Sequence, residues 1–177
     1  MPEPDRILGR DLHYVPFRGN NAVAGFSCGN EDLNEFLCTQ QVVEYQKNMF
    51  GKTTLVYYTP TMDLVGYFTT ASGDMEISWA KKTKGIKPLL GMEAVPGVLI
   101  GRLATDQRWE RRGIGALMVK KIARDAMQSP FAVRVLRLAA EPESIEFYRK
   151  LGFDFATERD NKNREKPHMF IDIRDIF

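Results

Sequence analysis

The chain has 177 residues, of which 44% are hydrophobic, and this is enough apolar material for the core of one domain. No apolar run reaches the length of a membrane span, and residues 1–10 are too charged for a signal peptide, so we expect one domain over residues 1–177 in the cytoplasm. The formal net charge of +2 is too small to indicate nucleic-acid binding by itself.

The chain has few residues suited to disulfides or metals. Its two cysteines, Cys28 and Cys38, are too few for a disulfide framework, and they lack metal-ligand spacing against His13 or His168. The sequence therefore predicts no metal site and two buried, reduced thiols.

The first half of the chain combines strand patterns with one helix pattern. A short strand is predicted at residues 13–17, followed by a loop. Asn30 has the side chain of an N-cap and precedes apolar residues near helical spacing, which predicts a helix. Its apolar residues are Leu33, Phe36, Leu37 and Val43. Two strands are predicted at residues 53–58 and 64–71, joined by a turn at residues 60–63.

The second half adds a central strand and a long amphipathic helix. Residues 75–80 are predicted as a strand before a lysine-rich loop, and residues 98–106 as the central strand. Residues 116–127 carry an apolar stripe at helical spacing, which predicts a helix packed on the core. The remaining predicted elements are a strand at 133–139, a helix from Pro142 to Gly152, a strand at 153–157, a charged loop at 158–166 and a strand at 168–173. Together they predict an α+β fold, with a central mixed, mostly antiparallel sheet of six to seven strands flanked by about four helices.

A glycine-rich turn, Arg111-Arg112-Gly113-Ile114-Gly115-Ala116, joins the central strand to this helix. The first turn of a helix has amides without intrahelical partners and partial positive charge, so an anion settles there. Gly113 and Gly115 allow close approach of the backbone, and Arg111 and Arg112 add full charges. The pattern indicates a phosphate-binding turn, and the alternative is a plain strand-to-helix turn with two flexible glycines.

Two motifs in this order resemble those of the GNAT acyltransferase superfamily. Leu103-Ala104-Thr105-Asp106 and the glycine-rich turn resemble its acetyl-CoA binding motif, and Phe147-Tyr148 followed by Gly152-Phe153 resembles the signature of its last helix. The resemblance extends over residues 13–173. It departs from the family at Glu110, where Gln or Arg is usual, so this carboxylate must point outward or be neutralised by the neighbouring arginines.

The resemblance implies acetyl-CoA as the acyl donor and no metal. In the family, the central strand and the strand after the long helix splay apart in the middle of the sheet around acetyl-CoA. Main-chain groups of the central strand would bind the pantetheine arm, and the amides of the turn would bind the diphosphate. The implied cofactor-binding residues are Leu103, Ala104, Thr105, Arg111, Arg112, Gly113, Ile114, Gly115, Ala116 and Ser144.

The resemblance also implies that Tyr148 is a general acid that protonates the leaving thiolate of CoA. A phenol near pKa 10 lies about 1.5 units above a thiol near pKa 8.5, which corresponds to about 2 kcal/mol. The alternative is that Tyr148 is a core aromatic beside Phe147 whose hydroxyl is only hydrogen-bonded.

No histidine is predicted in the centre of the fold, so no imidazole base is evident. At neutral pH, deprotonating a lysine side chain costs about 4.6 kcal/mol, whereas an α-amino group costs about 1 kcal/mol. An α-amine acceptor therefore needs little help. Candidate carboxylate bases, acting directly or through water, are Glu93, Glu76, Asp74 and Asp106.

A third segment, residues 26–37, together with residues 65–68 and 101–106, resembles the GNAT subgroup that contains toxins of bacterial toxin–antitoxin pairs. Those toxins acetylate the α-amino group of aminoacyl-tRNA. Two basic clusters would suit a phosphorylated partner, or are solvated surface. They comprise Lys81, Lys82, Lys84 and Lys87, and Arg108, Arg111, Arg112, Lys120, Lys121 and Arg124.

The resemblance thus implies acetyl-CoA, an aminoacyl-tRNA acceptor, a ribbon-helix-helix antitoxin and a homodimer as partners, and no membrane. Two alternatives remain open. One is the same transfer to a small-molecule or protein amine, and the other is a non-catalytic acetyl-CoA-binding regulatory module.

Overall fold

The computed structural model describes residues 5–19, 21–80, 86–87 and 89–176. These residues contain seven strands and five α-helices, of which the last is a single turn. The strands are β1 Leu12–Pro16, β2 Lys52–Tyr58, β3 Asp63–Glu76, β4 Ala94–Thr105, β5 Val135–Ala139, β6 Asp154–Phe155 and β7 His168–Asp172. The helices are α1 Glu31–Cys38, α2 Gln41–Lys47, α3 Ile114–Gln128, α4 Ile145–Lys150 and α5 Glu158–Asn161. No helix among these residues is long and apolar enough to cross a membrane.

The strands form one open sheet in the order β1-β2-β3-β4-β5-β7-β6. Strands β1 and β2, β2 and β3, β5 and β7, and β6 and β7 are antiparallel pairs. Strands β4 and β5 are parallel, with residues 97–99 paired to residues 135–137. The predicted mixed, mostly antiparallel sheet of six to seven strands is therefore confirmed.

Helix α1 begins as the sequence predicts, because the Asn30 side chain accepts a hydrogen bond from the amide of Leu33 at 3.2 Å. The single predicted helix is two helices in the structure. Helix α1 ends where Thr39 becomes extended, with φ −119° and ψ −172°. The Thr39 hydroxyl then accepts from the amide of Gln41, at the start of α2, at 3.2 Å. A hydroxyl that serves the next helix thus interrupts an otherwise continuous apolar pattern.

Two further predictions are wrong in detail. Strand β3 ends at Glu76, and Ile77–Ala80 forms a 3₁₀ turn instead of the end of a strand. The predicted charged loop after β6 contains α5, and Asn161 explains why. Its side chain donates to the carbonyls of Ala156 and His168 and accepts from the amide of His168 at 2.7 Å, so contacts distant along the chain hold this turn.

The chain divides into two compact units, residues 1–71 with 101–119 and residues 72–100 with 120–177. The core of the first unit contains the rings of Phe26, Phe36 and Tyr67, and the buried Tyr67 hydroxyl donates to the carbonyl of Leu33 at 2.7 Å. The expectation of one domain over the whole chain stays a prediction.

The core of the second unit comprises Met75, Ile77, Ile86, Val135 and Phe170. Beside it lies the buried carboxylate of Asp172, which is only 6% exposed. This carboxylate accepts from Arg134 Nε at 2.6 Å and from Arg174 Nη2 at 2.9 Å. Burial alone would raise the pKa of Asp172, but the hydrogen bonds from Arg174 and Arg134 hold it below its ordinary value.

We expect Asp172→Asn to lower the free energy of unfolding by about 2 kcal/mol at pH 7, because two arginines lose their charged acceptor. The pKa of Asp172 is depressed in the folded state, so its contribution is present above about pH 4 and is lost as the pH falls further. Urea unfolding of both proteins at pH 7 and pH 3 measures this. An undiminished difference at pH 3 would contradict the ionic origin of the effect.

Candidate active site

The segment that enters the phosphate turn is fixed by Asp106, directly after β4. Its side chain is 1% exposed and accepts from the amides of Ser27 at 3.2 Å and Arg108 at 3.0 Å. The Arg108 guanidinium also donates to it, through Nε at 2.8 Å and Nη2 at 3.0 Å. Burial opposes ionisation, but these hydrogen bonds lower the pKa of Asp106, so this carboxylate is a poor general base.

The turn itself requires two left-handed residues. Arg111 has φ +59° and Gly113 has φ +83°, and only Gly adopts this region without strain. The amide of Leu117 donates to the carbonyl of Gly113 at 3.1 Å, which marks the first turn of α3. The amides of residues 114–116 precede it and have no acceptor within the helix. The structure therefore has the predicted strand-turn-helix form, with free helix amides and a helix dipole at the turn.

The charged flanks of the turn include one residue that the sequence analysis missed. A side chain on Gly113 would lie 3.4 Å from Arg6 Nε, so the Arg6 guanidinium lies beside the turn. The amide of Ile7, whose side chain is buried, donates to the carbonyl of Arg112 at 3.0 Å and holds this N-terminal segment in place. Two isolated residues far from the motif gave no local signal for this contact.

The arginines of the motif differ in their surroundings. The Arg112 guanidinium lies 5.0 Å from the ring centroid of Trp109, and Arg111 is exposed. Glu110, the departure from the family motif, is exposed. Of the two ways in which this carboxylate could be tolerated, the structure thus favours the outward one.

The predicted pantetheine-binding residues form the end of β4 in the same compact unit as the turn. Leu103 and Thr105 are half-buried and Ala104 is 4% exposed. A side chain on Gly66 of β3 would come within 2.7 Å of the Ala104 carbonyl oxygen. The close approach of backbone to backbone therefore requires glycine at position 66.

Tyr148 lies on α4 in the second unit and is 7% exposed. The edges of Phe147 and Phe153 contact its ring, with centroids at 4.9 and 5.4 Å. Burial, with a smaller effect of Glu141, raises the pKa of Tyr148 to about 12. The expected phenol near pKa 10 is thus corrected, and the gap to a free thiol becomes about 3.5 units or about 5 kcal/mol.

Ser144 occupies the N-cap position of α4, where its amide donates to the carbonyl of Glu141 at 2.8 Å. Its side chain makes no capping hydrogen bond to the helix. Ser144 is half-buried.

The other candidate bases are exposed, as are Asp74, Glu76 and Glu93 in the second unit. His13 is exposed on β1, and His168 lies beside Trp79 with ring centroids 5.2 Å apart. The expectation of two buried thiols is wrong, since Cys38 is exposed and Cys28 half-buried at the surface of its unit. Within the described ranges, no group of three potential metal ligands occurs.

The predicted basic clusters are only partly described. Lys81, Lys82 and Lys84 lie outside the described residues, and Lys87 is exposed. In the second cluster, Arg108 is bound to Asp106 and Lys121 forms an ion pair with Asp125. These two positive charges are therefore partly neutralised by the protein itself.

The fold is shared with known proteins over nearly the whole chain. The family of FR47-like proteins matches residues 87–161, the segment that contains both the phosphate turn and Tyr148. A tyrosine-to-phenylalanine mutant of KacT superposes with a TM-score of 0.78 at 22% identity, covering 94% of this chain and 97% of that chain. AtaT complexed with acetyl-methionyl-tRNAfMet gives 0.75 at 22% identity, with 94% and 97% covered.

A tyrosine-to-phenylalanine mutant of the AtaT toxin, bound to acetyl-CoA and the C-terminus of the antitoxin AtaR, gives a TM-score of 0.71 at 22% identity. It covers 94% of this chain and 96% of that chain. The chain has the GNAT fold. Within this GNAT fold the glycine-rich turn lies at the start of α3, as the sequence resemblance implied.

Proposed function

We propose that this GNAT-fold chain is an N-acetyltransferase that moves the acetyl group of acetyl-CoA to a primary amine. The observation that carries the proposal is the phosphate turn, where left-handed Gly113 precedes three helix amides with no acceptor in the helix. The site fits a diphosphate, because Arg6 and Arg112 flank it and the Glu110 carboxylate is exposed. The proposed donor-binding residues remain Leu103, Ala104, Thr105, Arg111, Arg112, Gly113, Ile114, Gly115, Ala116 and Ser144.

The proposed reaction is a direct transfer. The amine nitrogen attacks the thioester carbonyl carbon, a C–N bond forms, the C–S bond breaks, and the amine releases its proton to water. Tyr148 gives its proton to the departing sulfur as the general acid. Its burial narrows the choice of proton acceptors, and a thiolate in equally desolvated surroundings also has a raised pKa, which reduces the gap of about 3.5 units.

We propose the α-amino group of aminoacyl-tRNA as the acceptor. A protein of the same fold, AtaT, has been captured with acetyl-methionyl-tRNAfMet, and this supports the choice. The acid–base properties agree with it, since Asp106 is held in an ion pair and an α-amine is deprotonated at low cost. On this proposal the protein acts in the cytoplasm and is restrained by an antitoxin, for which the AtaT–AtaR complex is the precedent.

The direct test is incubation of the purified protein with labelled acetyl-CoA and a pool of charged tRNAs, followed by mass analysis of the products. We expect acetylated aminoacyl-tRNA. Transfer only to polyamines, aminoglycosides or protein amines would replace this acceptor with the second hypothesis. Tight binding of acetyl-CoA without transfer to any amine would show a regulatory module.

We expect Arg6→Gln to weaken acetyl-CoA binding about tenfold, the effect of one charge-assisted hydrogen bond to a phosphate. Arg10→Gln is the matched control, because Arg10 lies in the same N-terminal segment and its side chain is 81% exposed. Isothermal titration of each variant with acetyl-CoA and with acetyl-pantetheine, which lacks the phosphates, measures the effect. Equal losses in both variants, or a loss with acetyl-pantetheine, would contradict a phosphate contact by Arg6.

A further inference from the structure

Arg137, on strand β5 of the second unit, is a half-buried cation that the proposed transfer does not use. It pairs with Leu99 on one side and Phe170 on the other, both apolar. Its Nε atom is buried and has no hydrogen-bond partner among the described residues. No described carboxylate forms an ion pair with it, in contrast to Arg134 on the same chain segment.

An unpaired guanidinium in such a position is unusual, because burying a charge without a partner destabilises a fold. The ring of Trp79 gives little compensation, since the Arg137 guanidinium carbon lies 5.9 Å from its centroid, at the outer limit of a cation–π contact. A destabilising arrangement of this kind is expected where a ligand supplies the missing anion.

The space beside Arg137 is left open by a glycine. A side chain on Gly73 of β3 would lie 3.1 Å from Arg137 Nη2 and 3.3 Å from Nε. Gly73 has no left-handed φ that would require glycine, so the absence of a side chain serves the space and not the backbone. The guanidinium therefore presents its donors toward a position that the protein itself does not fill.

The surroundings favour a nucleic-acid phosphate over a carboxylate. Trp79 lies between Arg137 and His168, with its ring centroid 5.2 Å from that of His168, so aromatic faces adjoin the cation. Stacked rings beside an arginine are the usual means of holding an unpaired base and its phosphate. In the sequence, residues 77–92 contain four lysines and no acidic residue, so this segment adds no competing negative charge.

We propose that Arg137 binds a phosphate in the single-stranded end of an RNA acceptor, and that Trp79 stacks on an adjoining base. This inference rests on the proposed function, whose acceptor it describes further. Because the guanidinium has no protein partner, the contact is made only when the RNA is bound.

The primary experiment measures binding of fluorescently labelled, uncharged tRNA by anisotropy. We expect Arg137→Met to weaken binding about tenfold and Arg137→Lys, which keeps the charge but not the planar fork, to weaken it less. With tRNA trimmed of its single-stranded 3′ end, wild type and Arg137→Met should bind equally. Equal binding of intact tRNA by both proteins, or an undiminished difference with trimmed tRNA, would overturn the proposal.

Thermal unfolding separates this role from a structural one. Arg137→Met should melt at or above the wild-type temperature, because it removes an unpaired buried charge. Arg134→Met, the matched control, should melt lower, because it takes a partner from Asp172. A fall in Arg137→Met equal to that in Arg134→Met would assign Arg137 to the fold and overturn the proposal.

Two further outcomes are decisive. If Arg137→Met weakens binding of poly-glutamate as much as of tRNA, Arg137 is a site for acidic proteins and the RNA proposal fails. If the wild type binds tRNA through Arg137 but acetylates no charged tRNA, this inference stands and the proposed transfer fails.

Discussion

Replacing Tyr148 by phenylalanine is expected to lower kcat for acetyl transfer by a factor of about 10²–10⁴, the usual contribution of a general acid. The ring contacts with Phe147 and Phe153 remain, so folding should be preserved. Steady-state kinetics with charged tRNA, together with titration of acetyl-CoA, separates the chemical step from donor binding. The Kd for acetyl-CoA should be unchanged.

An unchanged kcat in Tyr148→Phe would support the alternative that Tyr148 is only a core aromatic. A suitable control is Tyr67→Phe, which also removes a buried hydroxyl, one that donates to Leu33 in the first unit. That variant should lose stability without a comparable loss of kcat. Similar losses of kcat in both variants would indicate general damage to the fold.

The pH dependence of Tyr148→Phe adds an independent readout. Burial raises the pKa of Tyr148 from 10 to about 12, so the folded state resists its ionisation. Its contribution to stability is complete below pH 10 and is lost as the pH rises from 10 to 12, by about 3 kcal/mol in all. Alkaline unfolding should therefore be shallower in the variant than in the wild type.

Gly115→Asp is expected to abolish donor binding while stabilising the protein. A carboxylate in the first turn of α3 would occupy the position of the diphosphate and repel it, so we expect at least about a hundredfold increase in the Kd for acetyl-CoA. The same carboxylate interacts favourably with the helix dipole, and replacing a helical glycine adds stability. The free energy of unfolding should rise by about 1 kcal/mol, as measured by urea titration.

Gly115→Asn is the matched control, since asparagine has the same shape without the charge. It should retain much more affinity for acetyl-CoA than Gly115→Asp, and the remaining difference should shrink at high salt. Equal loss in both variants would point to a steric cause. Full binding by Gly115→Asp would sink the phosphate-turn assignment and the proposed function with it.

Much of the fold could be predicted because its signals are local. Asn30 is read as an N-cap from its side chain and the apolar spacing after it, and the structure confirms the capping bond. Gly152 was expected to end a helix in the left-handed region, and it has φ +94°. The phosphate turn was likewise read from consecutive residues, where Gly113 is left-handed as its role requires.

Other features could not be read, because their causes are distant along the chain. The lysine-free stretch around Asn161 looked like a charged loop, and only its bonds to Ala156 and His168 form the helical turn. Arg6 has no sequence signal that links it to Gly113. The pKa of Tyr148 depends on burial by neighbours, so the reference value near 10 misled the estimate of its acidity.

By itself the sequence determined the kinds of elements, their order and the chemistry of the turn before α3, because periodicity, caps and glycine conformations are properties of neighbouring residues. Only the tertiary structure decided which charges are paired. It neutralised Asp106 and Asp172 with arginines and left Arg137 without a partner among the described residues. The reason is physical: the energy of a charge depends on its desolvation and on the groups within a few ångströms, and those are brought together only by folding.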